Sequence, residues 1–122
     1  MASPNLRAEF VMDPEGKPLR LEGDNFPHYK IKLWTEGCPR GTYAVNYKLD
    51  DTYNDPNREV RSDVQNFEEE ITSYGDFVVS AQIRQKGKTD LTTVLLSAAL
   101  EATYGPNPSN SVAAALADIK AR

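Results

Sequence analysis

Three separated segments of this chain alternate apolar and polar residues with a period of two. That rhythm restricts the fold more than any other feature of the sequence. Tyr29, Ile31 and Leu33 share one face of the first segment, and Lys30 and Lys32 share the other. Tyr43, Val45, Tyr47 and Leu49 form the second set, and Phe77, Val79, Ala81 and Ile83 form the third and cleanest. Successive side chains of an extended strand point to opposite faces, so each segment is expected to be a strand with one face in a core. Trp34 falls on the lysine side and is expected at an exposed or edge position. Leu6 to Met12 is expected to be a first strand. Glu59 to Val64 and Gln65 to Ile71 are weaker ones, with Phe67 and Ile71 on one face and Glu68 and Glu70 opposite. Turn chemistry separates the segments: Asp13-Pro-Glu-Gly-Lys-Pro18, Glu36-Gly-Cys-Pro-Arg-Gly41, Asn54-Asp-Pro-Asn57 and the Gln85–Asp90 stretch around Gly87. About seven or eight short strands joined by turns predict an all-β, antiparallel β-sandwich.

The last third of the chain is less regular. Thr92-Thr-Val94 favours a strand, whereas Leu96 to Ala102 has helix-forming composition. No capping residue opens a helix there and turn signals bound the segment, so Leu91 to Tyr104 is read as a strand. Gly105-Pro-Asn-Pro-Ser109 follows as a linker, and the composition then shifts to alanine. Val112, Ala115, Leu116 and Ile119 lie at the spacing of one helical face. A short C-terminal helix is expected over residues 111–122, capped by Asn110 or Ser111. So short a helix is marginal alone. Its stripe needs the sandwich, a second copy of the chain or a following domain as partner.

The chemistry-bearing residues are sparse. At 122 residues the chain fits one domain with a core large enough to fold. A formal charge of −4, without any run of Lys or Arg, argues against a nucleic-acid partner. No apolar stretch approaches the roughly 18–20 residues of a membrane-spanning helix, so no membrane partner is expected. The N-terminus has no apolar leader core, and the one cysteine, Cys38, cannot form an internal disulfide; both agree with a cytoplasmic location. His28 is read as a surface residue and Cys38 as a loop or half-buried thiol, since neither has a partnering base. No spacing of Cys and His suits zinc, and no cofactor is expected. Asp50, Asp51, Asn54 and Asp55 resemble a calcium loop only superficially. No Gly stands at the sixth position and no Glu at the twelfth, so they are read as turn-forming side chains and no metal is expected. Glu68-Glu-Glu70 reads as a solvated strand edge. With no nucleophile and base to pair, the chain is expected not to be an enzyme. The rival in that class is an acidic hydrolase using Glu69 and Asp50 as paired carboxylates.

Two aromatic loops flank the best strands: Asp50-Asp-Thr-Tyr-Asn-Asp-Pro56 leaves one, and Thr72-Ser-Tyr-Gly-Asp-Phe77 enters another. Aromatics on two loops at one end of a sandwich can line a recognition cleft. The order Leu49-Asp-Asp-Thr-Tyr-Asn-Asp-Pro56, Phe67-Glu-Glu-Glu-Ile71, Ser73-Tyr-Gly-Asp-Phe77 resembles a YEATS domain, and most closely the prokaryotic, bacterial branch, over about Tyr29 to Leu100. The resemblance implies an immunoglobulin-like β-sandwich that binds rather than catalyses. In eukaryotic members, a planar acylated lysine slides between loop aromatics while a loop hydroxyl bonds its carbonyl. Carried over by position, Thr52 stands for that hydroxyl, Tyr53 for the first-loop aromatic, and Tyr74 and Phe77 for the second-loop aromatics. Asp50 stands where such readers usually carry His, and Ser73 where a Gly often lets the backbone approach the ligand. The residues expected at the site are therefore Thr52, Tyr53, Tyr74, Phe77, Asp50 and Ser73. The resemblance implies a sensor or adaptor module attached to signalling or effector domains. Its ligand would be a protein epitope, an acylated peptide or a small molecule. The alternative is a purely structural or oligomerising sandwich, with the C-terminal helix as a route to homo-oligomers. Residues 1–104 are expected to form the sandwich domain, and 105–122 a linker and helix that dock or open a further domain.

Overall fold

The structure, a computed structural model, describes residues 4–21, 28–53, 55–73 and 75–121. Strands β1 (Asn5–Phe10), β2 (Arg20–Leu21), β3 (His28–Glu36), β4 (Thr42–Lys48), β5 (Asn57–Val60), β6 (Glu69–Ser73), β7 (Val78–Gln85) and β8 (Lys88–Leu95) precede helices α1 (Leu96–Tyr104) and α2 (Asn110–Lys120). The strands form two antiparallel sheets. In the first, β3 pairs with β1, β2 and β6; the second runs β5-β4-β7-β8. This is the immunoglobulin-like sandwich arrangement that the alternation and the loop pattern predict.

The period-two faces meet in the core. Tyr29, Ile31 and Leu33 of β3, Val45, Tyr47 and Leu49 in and just after β4, and Val79, Ala81 and Ile83 of β7 are all buried. Leu6, Ala8 and Phe10 of β1 join them. The outward residues of β3 make surface pairs: Lys30 lies 3.3 Å from Glu70 and Lys32 3.6 Å from Glu68. Trp34, on that same outward face, takes the Arg7 guanidinium 5.8 Å above its ring and donates from Nε1 to Glu36. Half-exposed ion pairs of this kind contribute little stability, about 0–1 kcal/mol. Their lysines fix which face points outward.

Tyr43 departs from the expected inward face and is 49% exposed. The pairing of β4 with β7 shifts register between Thr42 and Ala44, and such an irregularity resets the phase of the alternation. The weaker strands are shorter than expected. Gln65, Asn66 and Phe67 are left-handed, with φ of 54°, 59° and 60°. A strand cannot pass through that backbone, so pairing resumes only at Glu69. Left-handed backbone costs a residue with a β-carbon roughly 1–2 kcal/mol. Three contacts hold it in place. Phe67 is buried, the Thr35 N–H donates to the Asn66 carbonyl at 3.0 Å, and the buried Tyr47 hydroxyl donates to the Phe67 carbonyl at 2.7 Å. Thr35 Oγ1 lies 3.0 Å from that same hydroxyl, so the bond network crosses from one sheet to the other. Burial pushes the Tyr47 phenol far above its ordinary value, so it stays a neutral donor.

The expected strand over Leu91–Tyr104 is half wrong: β8 ends at Leu95 and α1 begins at Leu96. The position before the helix is Leu95, which offers no side-chain cap. The cap comes from a distant residue. Asp76 Oδ1 accepts from the Ser97 N–H at 2.9 Å, Asp76 Oδ2 accepts from the Ser97 hydroxyl at 2.7 Å, and the Leu96 N–H donates to the Phe77 carbonyl at 2.9 Å. These bonds satisfy amides that a local Ser or Asp would otherwise take. The helix then covers β1. Thr103 Oγ1 donates to the Ala8 carbonyl at 2.6 Å, and the Tyr104 hydroxyl accepts from the Phe10 N–H at 2.9 Å. A strand edge is thereby closed by side chains rather than by another strand.

Helix α2 starts at Asn110, one residue earlier than expected, and its cap lies one residue before the first expected one. Ser109 caps it, accepting from the Val112 N–H at 3.3 Å. Val112, Ala115, Leu116 and Ile119 are buried in the same core as the sheets. Tyr29 donates to Asp118, and Lys120 lies 2.9 Å from Glu101 of α1. The stripe is therefore occupied by this chain, and an association through α2 would have to use its other face.

Two stability tests follow from these contacts. Tyr47→Phe leaves the Phe67 carbonyl and the Thr35 hydroxyl buried without their partner and is expected to cost about 1–3 kcal/mol in urea unfolding. Asp76→Ala uncaps α1 and is expected to cost about 1 kcal/mol. The loss of amide protection should be largest at Leu96 and Ser97; an unchanged exchange pattern there would show that the helix start does not depend on Asp76. For α2, hydrogen exchange should find the amides of residues 113–119 protected to the same extent at low and high protein concentration.

Candidate functional site

The two aromatic loops meet at one end of the sandwich because β4 ends beside the start of its partner β7, Lys48 pairing with Ser80. β4 delivers the first loop from one sheet, and β6 delivers the second from the other before it runs into β7. Between them is a cavity of about 260 Å³ lined by Asp50, Thr52, Tyr53, Ser73, Gly75, Asp76 and Phe77. Five of the six residues singled out from the sequence thus line one cavity. The sixth, Tyr74, lies outside the described residues.

The first loop is a turn built on Asp50. Its Oδ1 accepts from the Thr52 N–H at 3.0 Å and from the Thr52 hydroxyl at 2.8 Å, and its carbonyl accepts from the Tyr53 N–H at 3.0 Å. An Asp side chain that bonds the backbone two residues on mimics a turn by itself. The two Thr52 bonds hold the Asp50 carboxyl below its ordinary range, so it is ionised at neutral pH. Tyr53 then reaches across to the second loop, where its hydroxyl donates to the Thr72 carbonyl at 2.8 Å. Its ring centroid lies 5.6 Å from that of Phe77, with the planes tilted by 57°. Both rings are half-buried and pack against the edge of the core. The aromatic wall is therefore pre-formed and tied to the sheets.

The second loop is tied as closely. The Ser73 hydroxyl donates to the Gly75 carbonyl at 2.7 Å and accepts from the Gly75 N–H at 3.3 Å. Ser73 itself is buried. Asp76 accepts from the Phe77 N–H at 3.1 Å while it caps α1. Gly75 and Asp76 are cavity residues that the sequence reading did not single out. Asp76 looked like a loop residue, and nothing near it in the chain marks it as the cap of a helix 20 residues on.

Other candidates lie elsewhere. Glu69 faces Arg58 at 3.8 Å and does not line the cavity, so it is not brought beside Asp50 there. Cys38 is half-buried, its thiol 3.5 Å from the Thr35 carbonyl, and burial raises its pKa. That is the environment of an inert thiol. His28 begins β3, away from the cavity lining. Among the described residues no cluster of His, Cys, Asp and Glu has the arrangement of a metal site, and no helix is long and apolar enough to cross a membrane.

Several solved YEATS structures from yeast share the fold. A crystal structure of the yeast AF-9 homolog protein Yaf9 superposes with a TM-score of 0.53 at 19% identity, covering 76% of this chain and 69% of that one. The Yaf9 YEATS domain bound to H3K27ac gives 0.51 at 18%, covering 77% and 73%. The Yaf9 YEATS domain recognizing an H3K122suc peptide gives 0.51 at 16%, with the same coverage. At such identities the likeness is one of fold. A comparison with curated protein sequences gave no match. The family model of the prokaryotic YEATS domain matches residues 29–95, more than half of the chain, from the core tyrosine of β3 to the last residue of β8. The chain belongs to the prokaryotic YEATS domain family.

Proposed function

We propose that this domain is a non-catalytic recognition module. Its loop-end cavity takes up a projecting side chain of lysine length from a protein partner, or a small ligand of the same shape, and the module works attached to signalling or effector domains. One observation carries the reading. Tyr53, from the loop after β4, and Phe77, from the loop that leads into β7, form a pre-built aromatic wall beside the polar groups of Asp50, Thr52 and Asp76. A concave site with apolar walls and a few converging polar groups is the ordinary form of a binding pocket. A cavity of about 260 Å³ is small, suited to a side chain rather than to a folded surface. Support also comes from the family. The yeast structures include one bound to H3K27ac and one recognizing a succinylated peptide, H3K122suc, so a modified lysine is among the ligands to be tried here. Glu69 stands outside the cavity beside Arg58, which removes the observation that would favour a hydrolase with paired carboxylates.

The test is a binding panel of lysine peptides read by calorimetry, with ring variants as controls. Phe77→Ala should weaken a bound peptide by about 1 kcal/mol or more, the worth of one lost stacking surface. Tyr53→Phe keeps the ring and loses the hydroxyl that bonds Thr72, so it should retain most of the affinity. If Phe77→Ala binds as well as the unaltered domain, the recognition surface is not this cavity.

A further inference from the structure

Most strand edges of this sandwich are guarded; that of β8 is not. The β1 edge is closed by Thr103 and Tyr104 of α1. β2 has two residues, and β5 and β6 have four and five, with two charged side chains each. Short or charged edges resist pairing with another chain. β8 has eight residues, borders the second sheet and pairs only with β7. Its charges, Lys88 and Asp90, lie at its start; Leu91 to Leu95 carries none, and neither a proline nor a register shift interrupts it. Leu91 and Leu95 are 64% and 44% exposed, and Val78, opposite Leu95 on β7, is 58% exposed. The backbone of the edge is open as well. The two-residue turn Lys86-Gly87 joins Gln85 to Lys88, with Gly87 at a φ of 77°. Residues flanking such a turn exchange both bonds, and bonded and unbonded pairs alternate from there. Asp90, Thr92 and Val94 therefore bond to β7, and the Leu96 N–H, which donates to the Phe77 carbonyl, continues that row. Thr89, Leu91 and Thr93 turn their N–H and C=O groups away from the sheet, and among the described residues no other element bonds them.

The strand that fits this edge is a second copy of itself. Antiparallel pairing about a two-fold axis can centre only on a residue whose backbone turns outward. With Leu91 on the axis, Leu91 bonds its own counterpart and Thr89 of each copy bonds Thr93 of the other, so every outward group from Thr89 to Thr93 is used. On the outer face the two exposed leucines cover each other between threonine pairs, which are favourable cross-strand neighbours. An axis at Thr93 would leave Thr89 unpaired and call on the Leu95 carbonyl, which the first turn of α1 takes. An axis at Thr89 would leave Thr93 unpaired and set Leu91 against the turn. Charge favours the axis at Leu91 too. The turn end of the β7–β8 hairpin is basic, with Lys86 and Lys88 exposed, and the other end of the sheet carries Asp50, Asp51, Asp55 and Asp76. Antiparallel pairing lays the basic turn of each copy beside Leu95 and Leu96 of the other, where Asp76 caps α1. Asp90, near the axis, brings its own Lys88 at 3.5 Å and Gln85 Nε2 at 3.0 Å. Only a copy of this chain supplies the outward leucine and the basic turn on both sides at once. We propose that the β8 edge is a self-association surface: two copies join β8 to β8 about a two-fold axis at Leu91, merging two four-stranded sheets into one, with the loop-end cavities at its opposite ends. A single edge of about seven residues, against the roughly 20–30 a side of a standard interface, makes a weak pair. It forms at high concentration, or where attached domains hold two copies together.

The experiment reads the mass of the whole domain by sedimentation, and the exchange of its amides by NMR, over about a hundredfold range of concentration. The mean mass should rise toward that of a dimer at the top of the range. The amides of Thr89, Leu91 and Thr93 should gain about tenfold protection with it, while those of Asp90, Thr92 and Val94 stay protected throughout. Leu91→Lys and Leu91→Glu each set like charges across the axis, and each should hold the domain monomeric. The Leu91 side chain is mostly exposed, so both variants should keep the fold, and an unchanged amide spectrum outside β8 checks that they do. An equimolar mixture of the two sets Lys against Glu and should restore the pair. A domain that stays monomeric at every concentration overturns the proposal and leaves the edge to a strand of a different protein. Association that survives both Leu91 variants, or that their mixture does not restore, overturns it as well, because the contact then lies elsewhere.

Discussion

The Tyr47 hydroxyl is the point on which the sandwich and its loops depend. A chain that builds two sheets must cross between them, and here the crossing after β5 passes through three consecutive left-handed residues. Such a run is unfavourable for residues with a β-carbon and persists only where its surroundings hold it. Tyr47 and Thr35, from facing sheets, meet at a buried pair of oxygens and fix the carbonyl at the end of the run. Beyond that carbonyl the chain enters β6 and then the second aromatic loop. Tyr47 also lies on β4, just before the first aromatic loop. One buried hydroxyl thus stands at the root of both walls of the cavity.

Much of this was legible in the sequence because alternation is a local signal. A residue such as Ile31 or Val79 needs only its neighbours at two positions either side to declare its face. Tyr43 misled for a reason of pairing: the register shift beside it belongs to the partnership of β4 and β7, and no single strand carries a trace of it. The left-handed run was invisible because Gln65 and Phe67 are not residue types that favour such backbone. Helix α1 reads as a strand in the sequence because no residue next to its start can cap it. Its cap, Asp76, is joined to Ser97 only by the fold.

The candidate site divides along the same line. Asp50, Thr52, Tyr53, Ser73 and Phe77 could be picked from two short loops whose residue types mark them, and the structure gathers them around one cavity. Which hydrogen-bonding groups still face that cavity could not be read from residue types. A threonine hydroxyl is donor or acceptor according to its neighbour, and only the 2.8 Å contact to Asp50 decides which. Asp76 belongs to the site and to the helix at once, so the cavity wall and the C-terminal packing share an atom, Asp76 Oδ1.

The covering of β1 by α1 bears on how the chain is made. Ala8 emerges from a ribosome 95 residues ahead of Thr103, the side chain that closes its carbonyl. Until then the nascent strand can pair with β3 but keeps an open edge, available to any other extended chain nearby. The last contacts to form are among the most distant in sequence, an order that slows folding and lengthens exposure. Sequence changes that slow the arrival or docking of α1 would therefore act first on the yield of soluble protein, before any effect on the stability of molecules that have already closed.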